Sequence, residues 1–449
     1  MTMEIWKTIE QNKDQYLEVL FTLLRQPSIS SQNKGVVECA EVLHHMMKES
    51  GIHSRVMETD GLPVVYGEVI DPKNTFTLLI YGHYDVQPPE PLEKWVTPPF
   101  EPSIRNGRIY ARGAGDNKGQ LLANVLAIRL FLERHGSLPI NVKFLFEGEE
   151  ESGSPSLEAF VQKHRDLLKA DLVYTSDGPL DSTGAPMILL GCRGMLSIEL
   201  TLFGANHDNH SGNKGNLAPN PAWDLIHLLH SMRDPNGKVL IEGFYDDVRI
   251  PTDYELSLLK QILFHEEEAA KVIGVEALHM TGEEYYRKLT LEPTFTINGL
   301  VSGYSGEGQK TIIPSQATVK FDMRLVADQE PDDILQKVIK HIEAYTDKYE
   351  INVNGKLFPS RTSPENPFVQ TVIESVRTSR QADPIVLPAI GATFPDYIFT
   401  RVLKQPSILV PYANADEDNH APNENMDVQL FLKGIETMYH VVKDLGEID

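Results

Sequence analysis

The β-rich runs of this chain end in an unusual set of side chains: His83 in GHYDVQP, Asp116 in ARGAGDNKG, Glu150 and Glu151 in EGEEESGS, Asp177 in TSDGP, and His420 in DEDNHAPNE. Ligands of open α/β sheets bind outside the carboxyl ends of the strands, so these residues can converge although they are far apart in sequence. Two imidazoles with three or four carboxylates form a nitrogen and oxygen donor set without thiolate. Such a set suits zinc, manganese or cobalt in a catalytic site better than a structural zinc site. Five donors exceed what one tetrahedral ion with an open position needs. A pair of ions sharing one carboxylate would use them all, and paired ions are a standard hydrolytic device.

Taken singly, each residue has a plainer reading. A histidine after a strand is usually a hydrogen-bonding residue, an acidic run such as EGEEE is usually a solvated face, and Asp116 could be only the cap of the helix after it. The EGEEE run, however, follows directly on an apolar strand and precedes Ser-Gly-Ser. Asp85 stands two residues after His83, on the same face if the segment is extended, where it could hold the imidazole. Spacing does not separate Glu149, Glu150 and Glu151 as a general base.

Other motifs fail on spacing. Gly113 to Gly119 misses the dinucleotide-binding pattern by one residue and carries Asp116 where phosphate would be repelled. Gly303 to Thr311 is one residue too long for a phosphate-binding loop, and the GxSxG elbow of serine hydrolases is not found. His44 and His45 are neighbours on one helix and cannot share a metal on one face. His207 and His210 lie in a loop rich in Asn and Gly, and by themselves read as surface residues.

The elements that must position these groups alternate. Trp6–Arg25 and Val36–Ser50 repeat apolar residues at helical spacing, the second up to Gly51 as a C-cap. TFTLLIY, NVKFLFEG, DLVYTS and SILVPY read as strands, and Lys118–His135 as a helix closing at Gly136. Strands alternating with helices predict an α/β core with a mostly parallel sheet. From about Gly194 the order becomes strand (Leu196–Phe203), helix (Pro221–Met232), two strands (Thr294–Asn298 and Ser315–Arg324), helix (Asp332–Tyr345) and strand (Glu350–Val353). This is the ferredoxin-like β-α-β-β-α-β pattern, with an insertion from about Asp234 to Glu292. Phe358–Pro367 leads back. The expectation is a catalytic domain of residues 1–192 and 358–449, carrying an inserted α+β domain of residues 193–357.

Composition excludes several function classes. A length of 449 residues allows two or three domains. Acids outnumber bases 64 to 41, for a net charge of −23, so nucleic acid and anionic membranes are not expected partners. No apolar run approaches the ~18 residues of a membrane span. The opening residues, with Glu4 and Glu10, lack the basic and apolar regions of a signal peptide. The two cysteines, Cys39 and Cys192, cannot make a disulfide framework. The expected compartment is the cytoplasm.

GHYDVQPPEP, the following Trp95, PPFEPSIRNGRIYARGAGDNKG and FEGEEESGS together resemble the metallopeptidase family of acetylornithine deacetylase, succinyl-diaminopimelate desuccinylase, aminoacylase, carboxypeptidase G and the carnosinase-type dipeptidases. The resemblance covers nearly the whole chain and is nearest to the carnosinase-like, cytosolic non-specific dipeptidase branch. It implies that Asp116 bridges two divalent ions, Zn²⁺ first with Mn²⁺ or Co²⁺ as alternatives. His83 and Asp177 would complete one ion's site, and Glu151 and His420 the other's. It further implies that Asp85 orients His83, that Glu150 is the general base, and that His210 of the inserted domain reaches the active site of a partner subunit in a homodimer. Arg324 and the loop Gly391-Ala392-Thr393 would bind the substrate carboxylate. Many members have Gly-Gly where this chain has Gly391-Ala392.

The resulting expectation is hydrolysis of the amide of a dipeptide or small peptide. An N-acyl amino acid deacylase on the same scaffold is the alternative, and a catalytically silent peptide-binding protein comes third.

Overall fold

A computed structural model describes residues 2–448. Its largest sheet has eight strands in the order His53–Met57, Val64–Val69, Asn141–Glu147, Thr77–His83, Leu172–Thr175, Ser407–Leu409, Met187–Leu189 and Ile385–Leu387. The four strands from Asn141–Glu147 to Ser407–Leu409 run parallel to one another. Thr77–His83 is buried along almost its whole length because both faces of the sheet are covered, which explains its continuous apolar run. Leu78 and Ile80 pack with the helices Lys13–Arg25, Val36–Glu49, Lys118–His135 and Val428–Leu445. Leu79 and Tyr81 face the opposite layer with Leu157, Phe160 and Phe399.

Lys118–His135 is buried around most of its circumference and ends at Gly136, whose φ of 77° is the left-handed cap that glycine adopts without strain. The expected helix Trp6–Arg25 is two helices, Thr2–Gln11 and Lys13–Arg25. Asn12 stands between them at φ −98° and ψ 7°, as suits a side chain that competes with helical hydrogen bonding.

A second, four-stranded antiparallel sheet has the order Thr294–Ser302, Gln316–Leu325, Gly194–Phe203 and Tyr349–Leu357. Numbered along the chain this is 2-3-1-4, the ferredoxin-like arrangement expected from the sequence. Gly194–Phe203 alternates buried and half-buried residues, and its inner face packs on the helices Pro221–Met232 and Pro331–Glu343. The insertion between these elements contributes the helices Asp253–Lys260, Glu266–Ile273 and Gly282–Thr290. They turn back to the large sheet: Leu259, Ile262 and Leu291 cluster with Leu189, Leu387 and Leu409. Glu255 forms a buried ion pair with Arg361 of the returning segment. Among the described residues, no helix is long and apolar enough to cross a membrane.

Candidate metal centre

The parallel strands deliver the candidate residues to one edge of the large sheet. His83 is the last residue of its strand, opposite Glu147 of the neighbouring strand. Glu150 and Glu151 lie in the short turn Glu150–Ser152 after that neighbour. Asp177 follows Leu172–Thr175, and His420 lies in the loop after Ser407–Leu409. Asp116 occupies the turn before Lys118–His135, whose N-cap is Asn117, so Asp116 does not cap that helix. Asn117 ties the strand ends together: its Oδ1 accepts the His83 N–H at 3.4 Å and its Nδ2 donates to the Ser176 carbonyl at 2.6 Å.

Asp116 presents one oxygen to each imidazole. Oδ1 is 3.1 Å from His83 Nε2 and Oδ2 is 3.0 Å from His420 Nε2. Asp177 Oδ2 lies 3.7 Å from His83 Nε2, and Glu151 Oε2 lies 3.1 Å from His420 Nε2. The five side chains thus fall into two groups that share Asp116. Donor atoms of His83, Asp116 and Glu151 all lie within 4.8 Å of one another. Glu150 Oε2 stands 4.0 Å from His83 Nε2, beside the groups.

The hydrogen bonding of His83 shows that the donors fit a cation. Its Nδ1 is engaged by the carbonyl oxygen of Asp85 at 3.2 Å and faces Asp85 Oδ1 at 3.4 Å. That assigns the proton to Nδ1 and leaves the Nε2 lone pair directed at the carboxylates. Nε2 is buried and, although 3.1 Å from Asp116, is not aligned for a hydrogen bond, so it has no partner. An orphaned buried nitrogen facing acidic oxygens is what a divalent ion completes.

The charges point the same way. Burial opposes a charge on His83, but Asp116, Asp177 and Asp85 outweigh it and hold the imidazole well above its ordinary range. Hydrogen bonds to Asp116 and Glu151 push His420 up to about 10. Burial also acts to raise Asp116, yet His420 and His83 prevail and keep it below the usual carboxylate range. Burial lifts Glu150 to about 8, with His83 opposing and Asp177, Glu147 and Asp116 adding to the rise. Protons gather here because negative charge is in excess, and bound cations would displace them.

Around this cluster, Asp85 is fully buried and takes the backbone N–H of Glu150 on Oδ1 (3.2 Å) and of Glu151 on Oδ2 (3.1 Å). EGEEE is therefore no solvated face: the Glu151 side chain is only 4% exposed, and Glu149 turns away beside Gly61 and Ser156. Arg324 and the Gly391–Thr393 loop are brought together: Arg324 Nη1 donates to Thr393 Oγ1 at 2.9 Å. His210 is not brought to the cluster. It is exposed, and its Nδ1 accepts the Gly212 N–H. His44 and His45 bond Ser54 and Glu41 on the helix surface, and His207 bonds Asn206.

Sequence reasoning missed four supporting residues. Glu424 is fully buried and gathers the Asp116 turn, accepting the N–H groups of Gly113, Gly115 and Asp116, each at 3.0 Å, while paired with Arg112. Gln87 Nε2 donates to Glu151 Oε2 at 2.9 Å. Arg193 donates from Nε and Nη2 to the carbonyl of Gly391 and has its pKa lowered, first by burial and then by the neighbouring Arg324. Glu417 is buried with both oxygens unpartnered, and burial, Asp116, Glu424 and Asp177 push its carboxyl up to about 10. The Asn-Glu pair soon after His420 was a usable signal for Glu424; the others carry none in one sequence.

The model of "Peptidase family M20/M25/M40" matches residues 79–444. Beta-Ala-His dipeptidase of Homo sapiens is 31% identical over 384 residues, covering 83% of this chain and 75% of its own length. Cys-Gly metallodipeptidase dug1 of Schizosaccharomyces pombe is 28% identical over 468 residues, covering 99% of this chain and 98% of its own. The crystal structure of an M20 family metallo-carboxypeptidase from Sulfolobus solfataricus superposes with a TM-score of 0.84 at 38% identity, covering 96% of this chain and 99% of that one.

Proposed function

As a member of the peptidase family M20/M25/M40, to which it belongs, this chain is a metal-dependent peptide hydrolase, and we propose that it cleaves dipeptides with two divalent ions held around Asp116. The observation that carries the reading is the division of Asp116 between two imidazoles, 3.1 Å to His83 and 3.0 Å to His420. His83, Asp116 and Asp177 would hold one ion, and Asp116, Glu151 and His420 the other. Zinc leads, with manganese or cobalt as alternatives, since imidazole and carboxylate donors without thiolate accept all three. When bound, such ions supply Lewis acidity for the scissile carbonyl and acidify a water toward neutrality.

The chain's own residues do the rest. Glu150 stands beside the donors, its Oε2 4.0 Å from His83 Nε2, where a carboxylate can take and return a proton. It accepts the proton of the attacking water and passes it to the leaving amine. Asp85 orients His83 and holds the turn of Glu150 and Glu151. Arg324, with Thr393 and the backbone of Gly391 and Ala392, binds the substrate's free carboxylate as a charge-assisted pair.

Residues 1–192 and 358–449 form the metal-bearing domain, and 193–357 the lid through which two copies pair. Support comes from apolar exposure on the lid. Trp223 on the helix Pro221–Met232 is 60% exposed, and Val301 on the edge strand Thr294–Ser302 is 66% exposed. An uncovered apolar edge strand is a template for pairing. His210, exposed and with its ring nitrogen Nδ1 taking the Gly212 N–H, serves the partner's substrate. Mixing His210→Ala with Glu150→Ala chains should restore part of the activity, and no recovery would confine the site to one chain. Both cysteines are free and buried, as suits the cytoplasm.

A second reading extends the first. The 38% identical structure is that of a metallo-carboxypeptidase, so longer peptides with the same free carboxylate belong in the substrate panel. The experiment is release of amino acids from dipeptides, tripeptides and N-acyl amino acids by metal-depleted protein resupplied with Zn²⁺, Mn²⁺ or Co²⁺. Cleavage of dipeptides, reduced ~10²–10⁴-fold in Glu150→Gln with metal retained, is the expected result. Cleavage confined to the acylated panel would move the chain to the deacylases.

A further inference from the structure

A cavity of about 630 Å³ opens beside the metal cluster, lined by Asp116, Glu150, Asp177 and His420 and also by Ala392 and Thr393. Most of its remaining wall is apolar: Leu180, Met187, Leu189, Ile390, Phe394 and Leu409. Among the described residues no lysine or arginine lines it, and the Asp181 carboxylate in the wall takes both the N–H and the hydroxyl of Thr183 on Oδ1. The wall is not a loose surface. Leu189 and Leu409 end strands of the large sheet and are each 6% exposed, and Leu259, Ile262 and Leu291 of the inserted helical segment pack in the same cluster. Leu289 of that segment also abuts Gly391, where an added Cβ would lie 2.8 Å from its Cδ1. The insertion therefore buttresses the substrate side of the large sheet.

Ile390 and Phe394 flank the loop Gly391–Thr393 in the chain. A residue whose carboxylate is held by Arg324 and Thr393, the reading on which this inference rests, has its side chain one carbon away from that carboxylate and so beside this wall. We propose that the wall receives the side chain of the substrate's carboxylate-bearing residue, and that the enzyme selects a large apolar C-terminal residue such as leucine, methionine or phenylalanine. Glycine leaves the apolar surface wet, and an acidic side chain would lose water beside carboxylates without gaining a partner.

The test uses the metal-loaded full chain and compares kcat/KM for Gly-Leu, Gly-Phe, Gly-Gly, Gly-Asp and Gly-Lys, with Leu-Gly and Phe-Gly as reversed controls. Gly-Leu and Gly-Phe should exceed Gly-Gly by roughly ten- to hundredfold, the factor that burying such a side chain supplies. Gly-Asp should fall below Gly-Gly, Gly-Lys should stay below Gly-Leu and Gly-Phe, and the reversed controls should show no such gain. Phe394→Ala should lower the Gly-Phe to Gly-Gly ratio. A flat profile, a preference for charge, or a gain confined to the reversed controls overturns the proposal. Should no peptide be cleaved, the proposed reaction fails, yet the wall is still read by calorimetric titration of the metal-loaded protein with free leucine, phenylalanine and glycine. Leucine and phenylalanine binding no tighter than glycine would then reject it.

Discussion

Arg324 Nη1 donates to Thr393 Oγ1 across 2.9 Å, although the two residues stand 69 positions apart. Arg324 lies on a strand of the smaller sheet, and Thr393 follows an edge strand of the larger one. The contact closes one sheet's guanidinium onto the other sheet's loop, with Arg193 holding that loop by the Gly391 carbonyl. Two guanidiniums beside one another have Asp322 as their acidic neighbour.

Arg324→Met should therefore raise KM for dipeptides by roughly 10–100-fold, the worth of a hydrogen bond to a charged group, with a smaller change in kcat. The same peptides carrying a C-terminal amide should be nearly indifferent to the change. Equal losses on acid and amide would take Arg324 out of carboxylate recognition.

Asp85 meets His83 through its carbonyl at 3.2 Å and spends both carboxylate oxygens on the backbone N–H groups of Glu150 and Glu151. Asp85→Asn puts an amide NH₂ against one of those donors. Metal affinity and kcat/KM should each fall roughly 10–100-fold, as for other residues that orient a metal-binding histidine. Chelator competition and initial rates measure the two, and an unchanged affinity would leave Asp85 a purely structural residue.

Asp116→Asn keeps the size of the side chain but replaces one acceptor oxygen by a donor. Because each oxygen faces a different imidazole, the variant should lose metal from the pair as a whole. Glu151→Gln and Asp177→Asn should each weaken one ion more than the other. Metal content after gel filtration distinguishes these outcomes; full two-ion occupancy in Asp116→Asn would refute the shared carboxylate.

Glu417 provides a pH-dependent prediction for metal-free protein. Its carboxyl is held up to about 10 in the fold, against 4.5 for an ordinary glutamate, because it is buried without partners near Asp116, Glu424 and Asp177. The folded chain keeps a proton that the unfolded chain releases. Stability from this group is thus present below about 4.5 and is lost as pH rises toward about 10. Glu417→Gln should stabilise metal-free protein at about pH 8 by roughly 1–3 kcal/mol, with the advantage gone near pH 4. Thermal melting in chelator at both pH values checks the sign, and a destabilised variant at the higher pH would mean that the native carboxylate is ionised.

Much of the architecture was legible in the sequence because local patterns and the fold agree. The buried parallel strands announce themselves as continuous apolar runs, Lys118–His135 stops at a glycine, and the order of elements after Gly194 gives the ferredoxin-like sheet. The candidate donors were legible for a related reason: strand ends are where an open sheet exposes side chains, and His83, Glu151 and Asp177 follow apolar runs directly. The short break at Asn12 was not legible, since apolar spacing continues through it while one backbone position leaves the helix.

What only the tertiary structure decided is set by groups distant in the chain. Sequence named three consecutive glutamates, but backbone direction after Asn141–Glu147 turns Glu149 toward Gly61 and brings Glu150 and Glu151 to the imidazoles. Glu424 gathers the Asp116 turn across more than 300 residues, and Glu417 is buried among acids that no local pattern links. The inserted helices pack on the large sheet because Leu259, Ile262 and Leu291 find apolar partners there, a choice made by complementary surfaces rather than by spacing. Residue types and periodicity determined which elements form and which chemistry is available; the packing of those elements decided which side chains share one space.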